Sequence, residues 1–154
     1  MKKEAKQKMF VLFVLFMFLG SSAAFALLSA FVPSQEPRVQ LVYEGPLSNA
    51  EEAQFFQQNK IILKFFYSDD CEACDDASLL VDDLFQRMKG NMVVERINTF
   101  DFPDEASRLG ISEVPIFYFR GKTEKKLLGD ATYDELLNTA CDLFFEPKED
   151  VCLS

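Results

Sequence analysis

Four cysteines carry the most reactive chemistry of this sequence, which contains no histidine. Two of them, Cys71 and Cys74, are separated by two residues, a spacing that lets a pair of thiols form and break one disulfide. A thiolate at the first position can attack a disulfide of another molecule, and the second thiol can then resolve the mixed disulfide. The absence of histidine excludes Ser-His and Cys-His nucleophilic pairs and histidine metal ligands. The expected chemistry is therefore thiol–disulfide exchange.

The elements on either side of the pair must position it. Ile61–Tyr67 is a nearly continuous apolar run, typical of a strand buried on both faces. Cys74–Lys89 has apolar residues at helical spacing, and Gly90 is expected to end that helix. At a strand-to-helix junction the first sulfur lies close to the unpaired N–H groups and the positive dipole end of the helix. This environment stabilises a thiolate.

The other predicted elements complete an α/β domain with a central mixed sheet flanked by helices. Further strands are predicted over Val39–Tyr43, Met92–Ile97, Ile116–Arg120 and Lys125–Leu128. Further helices are predicted from a capping box at Ser48 to about Asn59, over Pro103–Leu109, and from a second capping box at Thr132 to about Phe145.

This arrangement resembles the thioredoxin superfamily over about Val39 to Phe145. Its landmarks are the strand–Cys71-x-x-Cys74–helix unit, Val114-Pro115 directly before a strand, and Gly129 before the last helix. The resemblance implies a thioredoxin-like fold and an oxidoreductase of protein thiols and disulfides, without a cofactor or a metal, in which Cys71 attacks and Cys74 resolves. It also implies a cis Pro115 against the active-site disulfide, and a Val114 whose backbone binds an extended substrate segment.

Five residues depart from the family's usual pattern. Asp70 stands where a tryptophan usually precedes the first cysteine, and Glu72-Ala73 replace the usual inner dipeptide. Phe65 occupies the position of the buried acid that many thioredoxins carry, and Arg96 that of its lysine neighbour. The usual proton relay to the second cysteine is therefore expected to be absent, and water or a nearby carboxylate would have to serve.

Acidic residues crowd the cysteine pair and dominate the chain. The five nearest are Asp69, Asp70, Glu72, Asp75 and Asp76. Their charges oppose a thiolate, which argues against a strong oxidant, and they favour neutral or basic partners. From residue 9 onward the chain has 12 basic and 24 acidic residues, so nucleic-acid binding is not expected.

The N-terminal segment predicts export. Residues 1–8 contain four lysines and one glutamate, and residues 9–32 carry no charge. That apolar stretch is long enough to span the roughly 30 Å hydrocarbon layer, which predicts a single-pass anchor with a cytoplasmic N-terminus and an extracytoplasmic domain. The alternative is a cleaved signal peptide, with Met9–Leu19 as its apolar core and Ala24-Phe25-Ala26 as its cleavage site. A linker is predicted over 33–38, the domain over 39–146 and a tail over 147–154.

Cys141 on the last predicted helix and Cys152 in the tail form the second pair. In an oxidising compartment they are expected to form a structural disulfide. The alternatives are a buried, inert Cys141 with a free Cys152, or a second redox relay. Two other functions stay open: a non-catalytic thioredoxin-like binding module with a structural Cys71–Cys74 bridge, and a zinc site made by all four cysteines. An oxidoreductase would also need a redox partner, which the sequence does not identify.

Overall fold

Five strands form one mixed sheet in the computed structural model, which describes residues 40–147 and 149–152. The strands are β1 (Val42–Glu44), β2 (Ile61–Tyr67), β3 (Met92–Asn98), β4 (Ile116–Arg120) and β5 (Glu124–Leu128). Their spatial order is β1-β3-β2-β4-β5; β1, β3 and β2 run parallel, and β4 is antiparallel to both of its neighbours. The central mixed sheet is therefore confirmed, with β2 in its middle.

Within the described residues, five helices accompany the sheet. They are α1 (Asn49–Gln57), α2 (Glu72–Arg87), α3 (Pro103–Arg108), α4 (Tyr133–Asp142) and α5 (Glu149–Cys152). Both predicted capping boxes are present, Ser48 with Glu51 on α1 and Thr132 with Glu135 on α4, and each pairs a side-chain oxygen with the backbone N–H three residues on. Helix α4 ends earlier than the sequence predicts.

Apolar side chains cover both faces of the sheet. On one face, residues of β2 and β4 pack against α2 and α4. The residues of this cluster, from strands and helices together, include Leu63, Phe65, Phe117, Val81 and Leu136. On the other face, alternate residues of the same strands pack against α1 and α3; they include Ile62, Phe66, Ile116, Phe55 and Ala106. This two-sided burial explains the nearly continuous apolar run of β2, as predicted from the sequence.

Lys64 is the exception in that run, and it is fully buried. Its Nζ lies 2.6 Å from Glu95 Oε2 on β3, 2.8 Å from Glu52 Oε1 on α1 and 3.2 Å from Glu105 Oε1 on α3. Burial alone would lower the pKa of Lys64, but Glu95 and Glu52 outweigh it and raise that pKa. Burial raises the pKa of Glu95, against the opposing effect of Lys64. Lys64 thus connects the sheet to two helices by charge.

The predicted N-terminal segments, residues 1–8, 9–32 and 33–38, lie outside the residues that the structure describes. Within residues 40–147 and 149–152, no helix has the length and apolar character needed to cross a membrane.

The predicted C-terminal tail, residues 147–154, lies partly within the described residues. It contains α5, and Val151 is fully buried in the core cluster that α2 and α4 form with the sheet. Its carbonyl accepts a hydrogen bond from Arg87 Nε at 3.2 Å. A disulfide joins Cys141 of α4 to Cys152 of α5, with their Cα atoms 5.8 Å apart. One apolar side chain and one covalent bond therefore attach this segment to the domain.

We predict that replacing Cys141 and Cys152 together by serine lowers the free energy of unfolding by about 3 kcal/mol. The bridge spans 11 residues, and closing a loop of that size restricts the unfolded chain by about this amount. Urea unfolding of the oxidised wild type and variant, both with the Cys71–Cys74 bridge intact, measures the difference. Equal unfolding midpoints would contradict the prediction and show that the burial of Val151 and the hydrogen bond from Arg87 hold α5 without the disulfide.

Candidate active site

Cys71 and Cys74 lie at the junction between β2 and α2, as the spacing predicts. Cys71 is the N-cap residue of α2 in extended conformation, and no side chain caps the first backbone N–H groups of this helix. Its own N–H donates to the Ser68 carbonyl at 3.3 Å, which turns the chain from strand to helix. The first-turn N–H groups and the positive helix dipole therefore act on the sulfur of Cys71.

The two cysteines form a disulfide and differ in accessibility. Their Cα atoms are 5.3 Å apart. Cys71 is half-buried, whereas Cys74 is only 4% exposed because it lies on the inner side of the first turn of α2. Only Cys71 is thus placed to meet a second protein, and Cys74 is placed to react within the chain.

Pro115 lies directly before β4 and is buried, and its peptide bond with Val114 is cis. Gly129, which follows β5, permits the close approach of this proline. A Cβ added at Gly129 would lie 2.4 Å from Pro115 Cγ and 2.8 Å from the Pro115 carbonyl oxygen. The two landmarks that the sequence separates by 13 residues are therefore in contact.

A groove of about 410 Å³ connects the cysteine motif to this proline. Ala73, between the two cysteines, lines one part of it, and Val114, Pro115, Leu128 and Gly129 line the rest. The carboxylates of Glu113 and Asp130 also lie along it. The structure thus brings Val114 and Pro115 to the same groove as the motif, whereas Cys141 and Cys152 form their own bridge between α4 and α5.

We predict that Gly129→Ala destabilises the protein by about 1–3 kcal/mol, because the added methyl group forces Pro115 away from its position. Urea unfolding measures this change, and the rate of disulfide exchange with a protein substrate should fall as the groove changes shape. The exposed neighbour Asp130→Ala serves as the control for stability. An unfolding midpoint for Gly129→Ala equal to that of Asp130→Ala would contradict the prediction.

A second, more polar pocket lies behind Cys74. Its volume is about 340 Å³, and its lining includes Phe65, Cys74, Arg96, Glu44, Tyr67, Asp69, Asp75 and Ser78. The side chain at the position of the family's buried acid is apolar: Phe65 stacks on Phe117 and Tyr67 with ring centroids 5.6 and 5.8 Å apart. The pocket therefore has no buried carboxylic acid at that position.

Arg96 fills one side of this polar pocket. It pairs with Phe65 in the parallel register of β2 and β3, as the comparison of positions predicted. Its guanidinium donates to Ser78 Oγ at 2.7 Å and to Asp82 Oδ1 at 2.6 Å. Sequence reasoning missed both partners, although Cys74, Ser78 and Asp82 follow one another at four-residue spacing and so lie on one face of α2.

The five acidic residues near the motif are all exposed. Asp69 is held in place by a hydrogen bond from Asn98 Nδ2 at 3.1 Å, and Asn98 Oδ1 accepts in turn from the backbone N–H of Phe100 at 2.9 Å. The Phe100 side chain is 87% exposed, in the turn that follows β3. The carboxylates around the motif are therefore in water, and an exposed aromatic ring lies in the turn that Asn98 connects to Asp69.

A family model described as Thioredoxin matches residues 46–142. No curated protein sequence matches the chain significantly.

Solved structures share the fold. A thioredoxin variant from Halobacterium salinarum superposes with a TM-score of 0.57 at 19% identity, covering 70% of this chain and 93% of its own. The germline-specific thioredoxin Deadhead of Drosophila melanogaster gives 0.52 at 23% identity, with 61% and 90% covered. Fasciola hepatica thioredoxin gives 0.51 at 17% identity, with 68% and 96% covered.

Proposed function

The chain belongs to the thioredoxin family, and from that premise we propose that it is an exported thiol–disulfide oxidoreductase acting on proteins through Cys71 and Cys74. One observation carries the proposal: a half-buried cysteine at the uncapped start of α2 is bonded to a buried cysteine one turn on. The family's fold implies protein substrates with thiols or disulfides. The groove beside the motif is accessible, which supports the binding of a protein substrate there.

The reaction requires two exchanges. With the pair reduced, the Cys71 thiolate attacks a substrate disulfide, forms a mixed disulfide and releases one substrate thiolate, which takes a proton from water. The Cys74 thiolate then attacks the Cys71 sulfur, so that the Cys71–Cys74 bond forms and the second substrate thiolate leaves. Two electrons pass to the substrate, and a redox partner restores the dithiol. The reverse sequence oxidises a substrate dithiol by the same steps.

The groove beside the cis proline supports the binding of an extended substrate segment. Val114 is half-buried at its edge, so its backbone N–H and carbonyl are the groups that an extended peptide would bond. Leu128, which is 53% exposed, offers an apolar contact on the opposite wall. These contacts place a substrate sulfur near Cys71 and leave Cys74 covered.

Thiol trapping with Cys74→Ser in the native cells tests the proposal. Without Cys74 the mixed disulfide between Cys71 and a substrate cannot be resolved within the chain, so it should accumulate as covalent adducts that a reductant releases. Adducts should be absent from the variant that combines Cys74→Ser with Cys71→Ser. They should persist when Cys74→Ser is combined with replacement of Cys141 and Cys152. If Cys74→Ser yields no adduct beyond that of the double variant, the oxidoreductase is excluded in favour of a binding module.

A non-catalytic binding module is the second candidate, and the pocket behind Cys74 is the observation that favours it. Phe65 stands there in place of a buried acid, which removes the family's usual proton acceptor. In such a module the Cys71–Cys74 bridge would only hold the start of α2. A zinc site made by the four cysteines has less support, because they form two separate disulfides with no free thiol among them.

Export is proposed from the sequence. The lysine-rich residues 1–8 and the uncharged residues 9–32 support a single-pass anchor, with a cleaved signal as the alternative. Two disulfides in one chain suit an oxidising compartment. Membrane extraction at alkaline pH, with protease added outside intact cells, tests both points. A chain that stays with the membrane and is degraded from outside fits the anchor, and a chain protected inside the cell contradicts export.

A further inference from the structure

We propose that Arg96 is a positioning residue for the resolving step, whose charge stabilises the thiolate of Cys74 once the disulfide is reduced. The inference rests on the proposed function and deepens it. The pocket behind Cys74 has no buried carboxylic acid at the Phe65 position, so the ionisation of Cys74 depends on the charges that the pocket does hold. The pocket, the register of β2 and β3, and the side-chain contacts of Arg96 carry the argument.

Arg96 lies close to the helix that carries Cys74. Arg96 and Cys74 line the same pocket, and the guanidinium is bound to Ser78, which lies one turn beyond Cys74 on the same face of α2. A second bond, to Asp82 a further turn along, fixes the other nitrogen. Arg96 therefore lies along the helix face that begins with Cys74, held by two short hydrogen bonds.

Other charges also face the pocket. Glu44 at the end of β1, Asp69 in the loop and Asp75 on α2 contribute carboxylates, all of which are exposed and therefore screened by water and salt. Burial and the charges of Glu44 and Asp69 raise the pKa of Tyr67, so its hydroxyl stays neutral.

Arg96 is different because it is mostly buried. Its side chain is 18% exposed, whereas that of its partner Asp82 is 55% exposed. Among the described residues that line the pocket, Arg96 alone carries a positive charge. A charge in less polar surroundings is screened less than one in water, so the guanidinium acts on Cys74 with less screening than the exposed carboxylates do.

The resolving reaction depends on the ionisation of the Cys74 thiol. To attack the Cys71 sulfur of a mixed disulfide, the Cys74 thiol must first lose its proton. The stacked ring of Phe65 cannot accept it, but the pocket opens to solvent past Asp69 and Asp75, so the proton leaves to water there. Arg96 lowers the free energy of the thiolate that remains. The bond between Cys74 and Cys71 then forms as the substrate sulfur departs with the electron pair.

Thiolate titration tests the inference. In the full-length chain with Cys71→Ser, and with the Cys141–Cys152 bridge intact, Cys74 is the only free thiol. Its ultraviolet thiolate absorbance is followed against pH in detergent. Adding Arg96→Gln should raise the titration midpoint by about one pH unit, since an opposite charge nearby favours the ionised form. Arg96→Lys, which retains the charge, should restore most of the difference.

Two further variants make the test specific. Asp82→Asn removes the anion that partly neutralises Arg96, so the midpoint should move in the opposite direction, and this exposed residue can be replaced without loss of the fold. Lys89→Gln removes a positive charge beyond the other end of α2, about 22 Å away, and should leave the midpoint unchanged. The inference is overturned if Arg96→Gln shifts the midpoint no more than Lys89→Gln, or if Asp82→Asn does not lower it.

This titration needs no partner protein, so its outcome is separate from that of the trapping experiment. A shifted midpoint without trapped adducts would support the role of Arg96 in setting the ionisation of Cys74 and would contradict the proposed oxidoreductase activity. Trapped adducts without a shifted midpoint would retain the oxidoreductase and remove the role of Arg96.

Discussion

Replacing Cys71 by serine is expected to reduce catalysed disulfide exchange to the uncatalysed background. Cys71 is the accessible cysteine of the pair, and the uncapped start of α2 acts on its sulfur. A serine hydroxyl cannot form a disulfide with a substrate, so no mixed disulfide arises at this position. The rate of insulin reduction, with dithiothreitol as the electron source, should equal that of dithiothreitol alone.

The matched control replaces the other cysteine pair. The variant with Cys141→Ser and Cys152→Ser loses a disulfide as well, but it retains both cysteines of the motif, and it should reduce insulin at close to the wild-type rate under conditions where it is folded. If Cys71→Ser kept a substantial share of the catalysed rate, the nucleophile would have to lie elsewhere. If the control lost the rate while folded, the second pair would belong to the reaction.

Lys64→Met is expected to have the largest effect on stability, a loss of about 3–5 kcal/mol. The substitution removes the cation bound to the buried carboxylate of Glu95 and one of the two cations that contact Glu52, which keeps Arg120, while methionine fills a similar volume. Glu95 Oε1 already has no hydrogen-bond partner within the described part of the chain. Urea unfolding of the oxidised chain measures the loss, and Lys125→Met on the exposed face of β5 is the control.

A double variant distinguishes charge from packing. Adding Glu95→Gln to Lys64→Met removes the carboxylate that Lys64 contacts most closely, so part of the lost stability should return. If the losses in the free energy of unfolding from Lys64→Met and Glu95→Gln simply add in the double variant, the two side chains are not energetically coupled. In that case, the low stability of Lys64→Met would reflect packing alone.

Much of the site could be predicted from local sequence. The capping boxes at Ser48 and Thr132 mark helix starts, and the Cys71-x-x-Cys74 spacing after an apolar run marks the reactive junction, because each signal lies within a few residues. The contact between Pro115 and Gly129 continues the register of the β4–β5 hairpin, in which Ile116 pairs with Leu128, so it follows from the hairpin once that register is known.

Contacts between distant segments escaped prediction for a physical reason. Lys64 lies in an apolar run, and its partners come from α1, β3 and α3, so no periodicity identifies them. Val151 follows a proline and several charged residues, which is typical of a tail, yet its side chain is fully buried. In both cases tertiary packing, which a single sequence does not display, decides the outcome.

Thiol counting during one round of exchange tests the central claim most directly. The reduced full-length chain is mixed with an equal amount of a disulfide-containing protein, quenched with acid, alkylated and measured by mass spectrometry. We expect the Cys71–Cys74 disulfide to form in step with the loss of one substrate disulfide, while Cys141 and Cys152 take no part. A substrate disulfide that persists while Cys71 and Cys74 stay reduced, or that is lost without their oxidation, would contradict the assignment of this pair as the redox centre.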